Sequence, residues 1–429
     1  MNIPFEANAA QNDCGSIRPE SGKAPMRFDD AVSAAIAAAL SPTASEQLSL
    51  GGAIGRVLAA DVTAPASLPR FDHSAMDGFA VRTADFAGSG PWSLRVVRRV
   101  VAGDAAGGSA ACEGTAVEIF TGAPIPPGYD TVVVRERCSR FEPGEILIST
   151  KPRIGENIRR RGEDVEKDAL IASSGAIVTP HVAALFAALG ITEVMVRPKV
   201  RIAVLATGSE LRSPGERLDA GQIYDSNSSM AAGMLSQPWI EYTDLGRIHD
   251  DFHSISETVR SASGTYDVLI TSGGMSHGGA DHIQTVLEAN SARLDVLQVA
   301  MRPGKPATIG RVGRALFIGL PGSPMAAAVV LSQIALPAIK RTAGLRELET
   351  QWVQAALSSS YSKRAGRTEF VPVKVSGRDK FGRPIVMVLG RGSSGSLLPM
   401  ARATGLAIVP EDVVELHAGC QLRYLPFQF

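Results

Sequence analysis

Five short stretches of this 429-residue chain carry side chains that could handle phosphates, oxyanions or a divalent cation. The first runs Leu68-Pro69-Arg70-Phe71-Asp72-His73-Ser74-Ala75-Met76-Asp77-Gly78-Phe79-Ala80-Val81. Its carboxylates, Asp72 and Asp77, sit beside a hydroxyl and a glycine, a composition that suits turn capping as well as chemistry. The second, Gly155–Asp164, sets Arg159, Arg160 and Arg161 against Glu163 and Asp164. Guanidinium forks bind phosphate bidentately, and an acid just beyond could hold a cation bridging those phosphates. The same residues would also make a solvated salt-bridge face. The third is a pair of glycine turns, Thr207-Gly208-Ser209-Glu210 and Ser272-Gly273-Gly274-Met275-Ser276. Their backbone N–H groups can face an anion or a flat polar ring, and glycine permits close approach. Asp225, Asp250 and Asp281 follow nearby, either as helix caps or as an acid cluster for magnesium. The fourth, Arg302-Pro303-Gly304-Lys305-Pro306, is a rigid oxyanion receptor or a plain surface turn. The fifth, Gly390-Arg391-Gly392-Ser393-Ser394-Gly395-Ser396, offers hydroxyls to a tetrahedral oxyanion, or is a flexible linker.

These stretches need a frame. After Pro198 three apolar runs, Val200–Ala206, Asp267–Thr271 and Ala315–Leu320, each end in a glycine-containing turn. Helical patterns lie between or after them, at Ser228–Leu235, Phe252–Ser261, Asp281–Ala289 and Pro324–Lys340. Strand, turn and helix in repetition predict a parallel sheet covered on both faces, with ligands bound at the carboxyl ends of its strands. The turns therefore mark one crevice. Residues 27–60 read as a helix, with Val32, Ala35, Ile36 and Leu40 on one face. His181–Leu189 reads as a helix ended by Gly190. Short runs between 80 and 172, including Trp92–Val101, Ala116–Phe120 and Thr131–Val134, predict β-rich units. Phe370–Val375, Pro384–Leu389 and Gly405–Val409 predict a small closing β-domain.

Composition excludes several classes. Lys plus Arg equals Asp plus Glu at 43 each, so no global field draws in nucleic acid or an anionic membrane. The longest apolar stretch, Pro324–Ile339, falls short of the roughly 20 residues a membrane span requires. Cys14, Cys112, Cys138 and Cys420 are scattered, which fits a reducing compartment and no zinc module. Residues 1–26 are polar without a signal-peptide pattern and read as a disordered tail, with Met26 as a candidate start. There is no G-x-x-x-x-G-K-[ST], no G-x-G-x-x-G after a strand, no G-x-S-x-G and no H-E-x-x-H.

At these motifs the chain resembles the MoeA family, which includes the gephyrin E domain, across residues 27–429. Phe71–Val81 is close to the family's F-D-N-S-A-M-D-G-Y-A-V. Phe120-Thr121-Gly122-Ala123-Pro124, the Asn157–Asp164 loop, Gly221-Gln222-Ile223-Tyr224-Asp225-Ser226-Asn227, Ser272-Gly273-Gly274 and Gly304-Lys305-Pro306 match in the same order. The resemblance implies a multidomain α/β fold: an elongated arm and inserted β-rich lid over 27–198 (lid roughly 82–172), a MogA-like molybdopterin-binding α/β domain over 199–344, and a C-terminal β-barrel over 345–429. It implies a cytoplasmic homodimer that inserts molybdate into adenylylated molybdopterin, supplied by a MogA-type adenylyltransferase, with magnesium assisting and AMP released. Molybdoenzyme-maturation chaperones are candidate partners; nucleic acid and membrane are not. The family's acids carry over onto Asp77, Asp164, Glu210, Asp250 and Asp281, with Asp250 and Asp281 as metal ligands. Thr207, Gly208, Ser272, Gly273, Gly274, Ser276, Arg302, Lys305, Ser394, Arg159 and Arg160 carry over as cofactor-binding positions.

The chain departs from the family on the molybdate side. Where K-x-x-x-K-P-G-K-P is common, the lysines become Gln298 and Arg302; the second arginine of G-R-x-x-F-x-R becomes Pro372, with Arg367 retained; and a serine pair becomes Leu398-Pro399. These changes predict retained cofactor binding with weakened or altered molybdate affinity. The alternatives are a paralogue for tungstate, a non-catalytic scaffold, and a general nucleotide-binding domain. The last leaves Asp77 and Arg159–Arg161 unexplained.

Overall fold

The structure is a computed structural model that describes residues 24–105, 107, 110–142, 144–273, 282–390 and 394–427. It divides into two compact units. Unit 1 comprises the described residues within Met1–Pro42, Lys199–Ala343 and Leu348–Phe429, and unit 2 comprises Thr43–Pro198 with Gly344–Glu347.

Unit 1 is built on a six-stranded sheet ordered Ile240–Ile248, Val200–Thr207, Val268–Ser272, Ala315–Leu320, Pro306–Val312, Arg293–Gln298. The first four strands are parallel, as the apolar runs predicted. The last two are antiparallel, so the sheet is mixed rather than wholly parallel. A parallel return needs a crossover of a dozen or more residues. Only Gly313 and Arg314 separate Pro306–Val312 from Ala315–Leu320, and Gly313, with φ 59°, turns the chain straight back. Ile255, Val259 and Ala262 from helix Phe252–Thr265, with Ile283, Val286 and Leu287 from helix His282–Ala289, pack on Ala203, Leu205, Leu269 and Phe317. The alternate residues Ile202 and Val204 are fully buried too, so both faces of the sheet are covered.

The helix predicted over 27–60 is much shorter, Phe28–Ala38. Pro42 disfavours helical backbone at Ser41, and the chain goes on to the strand Glu46–Ser49 of unit 2. Its buried stripe is Ala31, Ala35 and Ala38, while Leu40 is 43% exposed. The helix packs on Leu336–Thr342 and so belongs with the sheet rather than with an arm. Ahead of it, Met26 donates its N–H to Gln298 O (2.9 Å) and accepts from Ala300 N (2.7 Å), so it is part of the fold. The remainder of the expected tail, residues 1–23, lies outside the described residues. The long helix predicted from Pro324 to Lys340 is interrupted: α-helix at Pro324–Val330 and Leu336–Thr342, and a π-helical turn at Leu331–Ala335. Pro337 has no N–H to bond back to residue 333, and the wider turn absorbs the missing bond.

The closing β-domain is a barrel. Strands Thr368–Arg378, Pro384–Val388, Val353–Leu357, Gln421–Pro426 and Gly405–Val409 pair in that order, and the last pairs back onto the first. Val373, Val386, Ala407, Leu422 and Tyr424 fill it. The short strand Met301–Arg302 joins its wall, parallel to Thr368–Glu369.

Unit 2 contains a six-stranded mixed sheet, ordered Thr131–Val134, Gly78–Val81, Thr115–Ile119, Trp92–Val100, Glu145–Ile148, Cys138–Glu142. Phe79, Val81, Phe86, Leu94, Ile146 and Ile148 pack on one another in its core. The helix Pro180–Ala188 ends at Gly190, φ 79°, as predicted, and is capped by Thr179 Oγ1, which accepts from Val182 N at 3.2 Å. Gly78 begins the strand that follows Asp77, and a Cβ there would fall on the Val133 carbonyl. Gly78→Ala is expected to destabilise unit 2 by about 1–3 kcal/mol, the range for overpacking, in denaturant melts. An unchanged midpoint would show that the strands separate freely.

Candidate functional site

Within unit 2 three of the motifs converge. His73–Ser74 pairs antiparallel with Ile158–Arg159. Ser74 N donates to Ala123 O (2.9 Å), Gly122 N to Ser74 O (2.8 Å) and Ala75 N to Asn157 O (2.9 Å). The Asp72–Asp77 stretch, the Thr121–Pro124 turn and the arginine loop thus share one scaffold.

Asp77 is exposed, and its Oδ1 accepts from Thr121 N and Thr121 Oγ1, both at 2.8 Å. These two hydrogen bonds, backbone first, hold its carboxyl below the usual range, with Arg135 assisting. Asp72, which sequence reasoning treated as a turn cap, organises the arginine loop. Its Oδ1 accepts from Arg161 N (2.8 Å) and its Oδ2 from Arg160 Nη1 (2.7 Å). Arg159 pairs with Glu163. The solvated ion-pair face is therefore real for Arg159 and Arg160. The guanidinium of Arg161 and the carboxylate of Asp164 are exposed and have no side-chain partner among the described residues.

Within unit 1 the glycine turns do form one crevice at the carboxyl ends of the parallel strands. A Cβ on Gly273 would collide with Thr207 O at 2.5 Å, so the second turn lies directly on the first. Asn227, only 6% exposed, clasps the second and third turns: its Nδ2 donates to Ser272 Oγ (2.9 Å) and Gly322 O (3.0 Å). Ser394 O accepts from Met325 N at 3.2 Å, which brings Ser394 to the third turn. Gly208 has φ 144°, and a Cβ there would meet both Glu210 carboxylate oxygens at 2.8 Å. Thr308 pairs with Gly319 and Gln298 with Pro306, so Lys305 and Gln298 stand at the same edge.

Charge is graded along this edge. Asp250 and Glu210 follow the strands Ile240–Ile248 and Val200–Thr207, whose ends pair Thr207 with Ile248. Lys305 precedes the strand four positions from the first of these and three from the second, about 19 Å and about 14 Å away at about 4.8 Å per strand. Asp250 and Glu210 stand at one end, where the guanidinium groups of Arg212 and Arg247 are turned onto the Ser209 and Leu211 carbonyls, and Lys305 stands at the other.

Asp225 is a helix cap, accepting from Asn227 N (2.9 Å), Ser228 N (3.1 Å) and Ser228 Oγ (2.5 Å). Asp251, not Asp250, caps the helix Phe252–Thr265, accepting from Ser254 N at 2.9 Å. Asp250 Oδ1 is left buried with no hydrogen-bond partner, as are Thr207 Oγ1 and Asn227 Oδ1. An orphaned buried carboxylate oxygen is costly unless a cation or a ligand donor completes it. Magnesium is commonly held by one or two carboxylates plus substrate oxygens, a donor set that Asp250 and Glu210 fit. Among the described residues no group of three or more His, Cys, Asp or Glu assembles. Gly274, Ser276 and Asp281 lie outside the described residues, as does Ser393. Arg302 Nη1 reaches Glu369 Oε1 at 3.3 Å. Burial pushes the Cys138 thiol up to about 11, which makes it a poor nucleophile.

Sequence reasoning passed over Asp72 and Asn227 as site builders. Both lie inside quoted motifs, but their hydrogen bonds run to residues 45 to 95 positions away. Asp72 also generates a prediction. The Arg161 N–H chiefly, with Arg160, holds its carboxyl below the ordinary value, against a smaller opposing effect of burial. A depressed carboxyl stabilises the fold above its unfolded value of about 4, and that contribution fades as pH falls through the lower folded value. Asp72→Asn is therefore expected to be less stable than wild type at pH 7, with the gap narrowing below about pH 4. Denaturant midpoints at both pH values measure this, and a constant gap would contradict it.

Three family descriptions match in order: MoeA N-terminal region (domain I and II) over residues 26–190, probable molybdopterin binding domain over 203–341, and MoeA C-terminal region (domain IV) over 354–427. A molybdopterin molybdenumtransferase of Haemophilus influenzae is 37% identical over 330 residues, 77% of this chain and 81% of the relative. Molybdopterin molybdenumtransferase 2 of Mycobacterium tuberculosis is 36% identical over 378 residues, 86% and 92% of the two chains. A crystal structure of the molybdopterin biosynthesis MoeA protein from Pyrococcus horikoshii superposes with a TM-score of 0.77 at 30% identity, over 95% of this chain and 100% of that one. By domain order, identity and fold alike, the chain belongs to the MoeA family of transferases in molybdenum cofactor biosynthesis.

Proposed function

We propose that the chain inserts molybdate into adenylylated molybdopterin and releases AMP. The observation that carries this reading is the graded sheet edge, where orphaned Asp250 and neighbouring Glu210 stand at one end and Lys305 at the other. A phosphorylated pterin laid along the glycine turns would meet backbone donors in the middle, carboxylates at its nucleotide end and cations at its oxyanion end. Asp250 and Glu210 would hold magnesium, whose charge offsets the negative charge that develops as the pyrophosphate link breaks. Asp250, Glu210 and Asp281 orient the phosphate oxygens, and Thr207 and Ser272 fix the pterin. Lys305, Arg302 and Ser394 receive the oxyanion. Asp77, Asp164 and Arg159–Arg161 take part in nucleotide handling, with Arg161 the arginine whose guanidinium is open to a phosphate. A cytoplasmic homodimer and a MogA-type adenylyltransferase that supplies the substrate complete the reading. No helix among the described residues is long and apolar enough to cross a membrane.

Incubation with molybdopterin-AMP, magnesium and molybdate tests the proposal, with AMP and active cofactor followed separately. Wild type is expected to release AMP only when magnesium is present, and Asp250→Ala to lower that rate roughly 100-fold, the scale for removing one preorganised electrostatic group. AMP release that persists without magnesium, or that survives Asp250→Ala, would refute it.

The altered molybdate side supports a second reading, a changed oxyanion preference. Gln298 and Pro372 replace cations common in the family, and Pro372 is buried in the barrel wall, where it has no N–H to offer. Gln298→Lys is expected to tighten molybdate binding by about three- to fivefold, the worth of one partly exposed charge pair, in calorimetric titration. Insertion of tungstate in place of molybdate, compared under the same conditions, decides the preference.

A further inference from the structure

The strand Thr368–Arg378 puts alternate residues inside the barrel. Val373 lies in the barrel core, and Val371 and Glu369 share its side by strand alternation. Phe370 points the other way and stacks edge-on against Phe28, centroids 5.0 Å apart. Glu369 is therefore an inward-facing carboxylate at the barrel mouth, 5% exposed. A buried carboxylate is tolerated only when partnered. Its Oε2 accepts from Tyr361 Oη at 2.8 Å and its Oε1 from Arg302 Nη1 at 3.3 Å.

The pairing of Arg302 with Glu369 across the parallel strands Met301–Arg302 and Thr368–Glu369 fixes this geometry through the backbone. Thr368 N also donates to Ala300 O at 3.0 Å. Nearby, Lys363 Nζ is spent on backbone carbonyls, chiefly Arg367 O at 2.8 Å. Arg302 is 53% exposed at its side chain, and its Nη1 is held by the buried acid. The contact is long for a charge-assisted hydrogen bond, which ordinarily lies near 2.7–2.9 Å. Arg302 is thus shared between the fold and whatever approaches from solvent.

We propose that Glu369 sets the strength of oxyanion capture: it is a resident competitor for Arg302, and a tetrahedral oxyanion binds by drawing the guanidinium away from it. This rests on the reading of Arg302 and Lys305 as the oxyanion end. Glu369 offsets part of the positive charge that Arg302 and Lys305 present, which keeps a bound oxyanion exchangeable. A lysine at this position would present a point charge on a flexible stem, whereas the planar fork of arginine offers several donors that can pass from the acid to the oxyanion. Arg302, where the family often has lysine, and Glu369 act as a matched pair.

The test is calorimetric titration of the full chain with sodium molybdate, without pterin. Glu369→Gln keeps the side-chain volume and an acceptor for Tyr361 and removes the competing charge. It is expected to tighten molybdate binding at least threefold, and Glu369→Asp, whose shorter stem draws the charge back, to tighten it less. In an Arg302→Gln background the same change is expected to have no effect. Weaker or unchanged binding in Glu369→Gln, with wild type binding normally, would overturn the proposal and leave the oxyanion reading standing. Should Glu369→Gln fail to fold, unchanged or weaker binding in Glu369→Asp overturns it equally. Absence of molybdate binding to wild type itself would remove the oxyanion reading and this inference together.

Discussion

The backbone of Gly273 rests on the carbonyl of Thr207, and the crevice exists because nothing larger than a hydrogen fits between them. Four parallel strands end together only if their turns nest, and a side chain at position 273 would drive the first two turns apart. Asn227 then locks the nest, since one amide nitrogen joins Ser272 to the Gly322 carbonyl. Backbone N–H groups can meet a ligand only where turns are packed this closely. The graded charges of the edge would otherwise belong to separate loops.

Much of this frame was legible in the residues. Continuous apolar runs ending in glycine specify buried parallel strands, because a strand covered on both faces has no polar alternation to display. Those runs were read to within a residue or two of the observed strands. The crevice followed from topology, since parallel strands put all their carboxyl ends on one edge. What the sequence hid was set by non-local geometry. The strand Pro306–Val312 and its hairpin at Gly313 were not read in the sequence, and the two-residue connection is what makes that pair antiparallel. The helix from Phe28 was overextended because alanine-rich segments satisfy helical periodicity after the backbone has left the helix.

The site residues divide along the same line. Asp225 and Asp250 looked alike in sequence, both acids near a helix start. Asp225 spends its oxygens on its own helix, whereas Asp251 relieves Asp250 of that duty and leaves it an unfilled oxygen. One residue's offset in a helix start decides which acid is free. The arginine loop shows the reverse: three adjacent guanidinium groups looked equivalent, and the placement of Asp72 and Glu163 ties up the first two.

The order of segments along the chain has a consequence for biogenesis. Helix Phe28–Ala38 and Met26 are complete parts of the sheet unit, yet the strands they rest on come only after an intervening run of about 150 residues. During synthesis from the N-terminus that run can collapse on itself first, while the alanine-lined helix waits without its docking surface. Closing so long a loop is slow relative to local pairing. The helix thus cannot seat until Leu336–Thr342 has been made, and its alanine stripe stays uncovered for that interval.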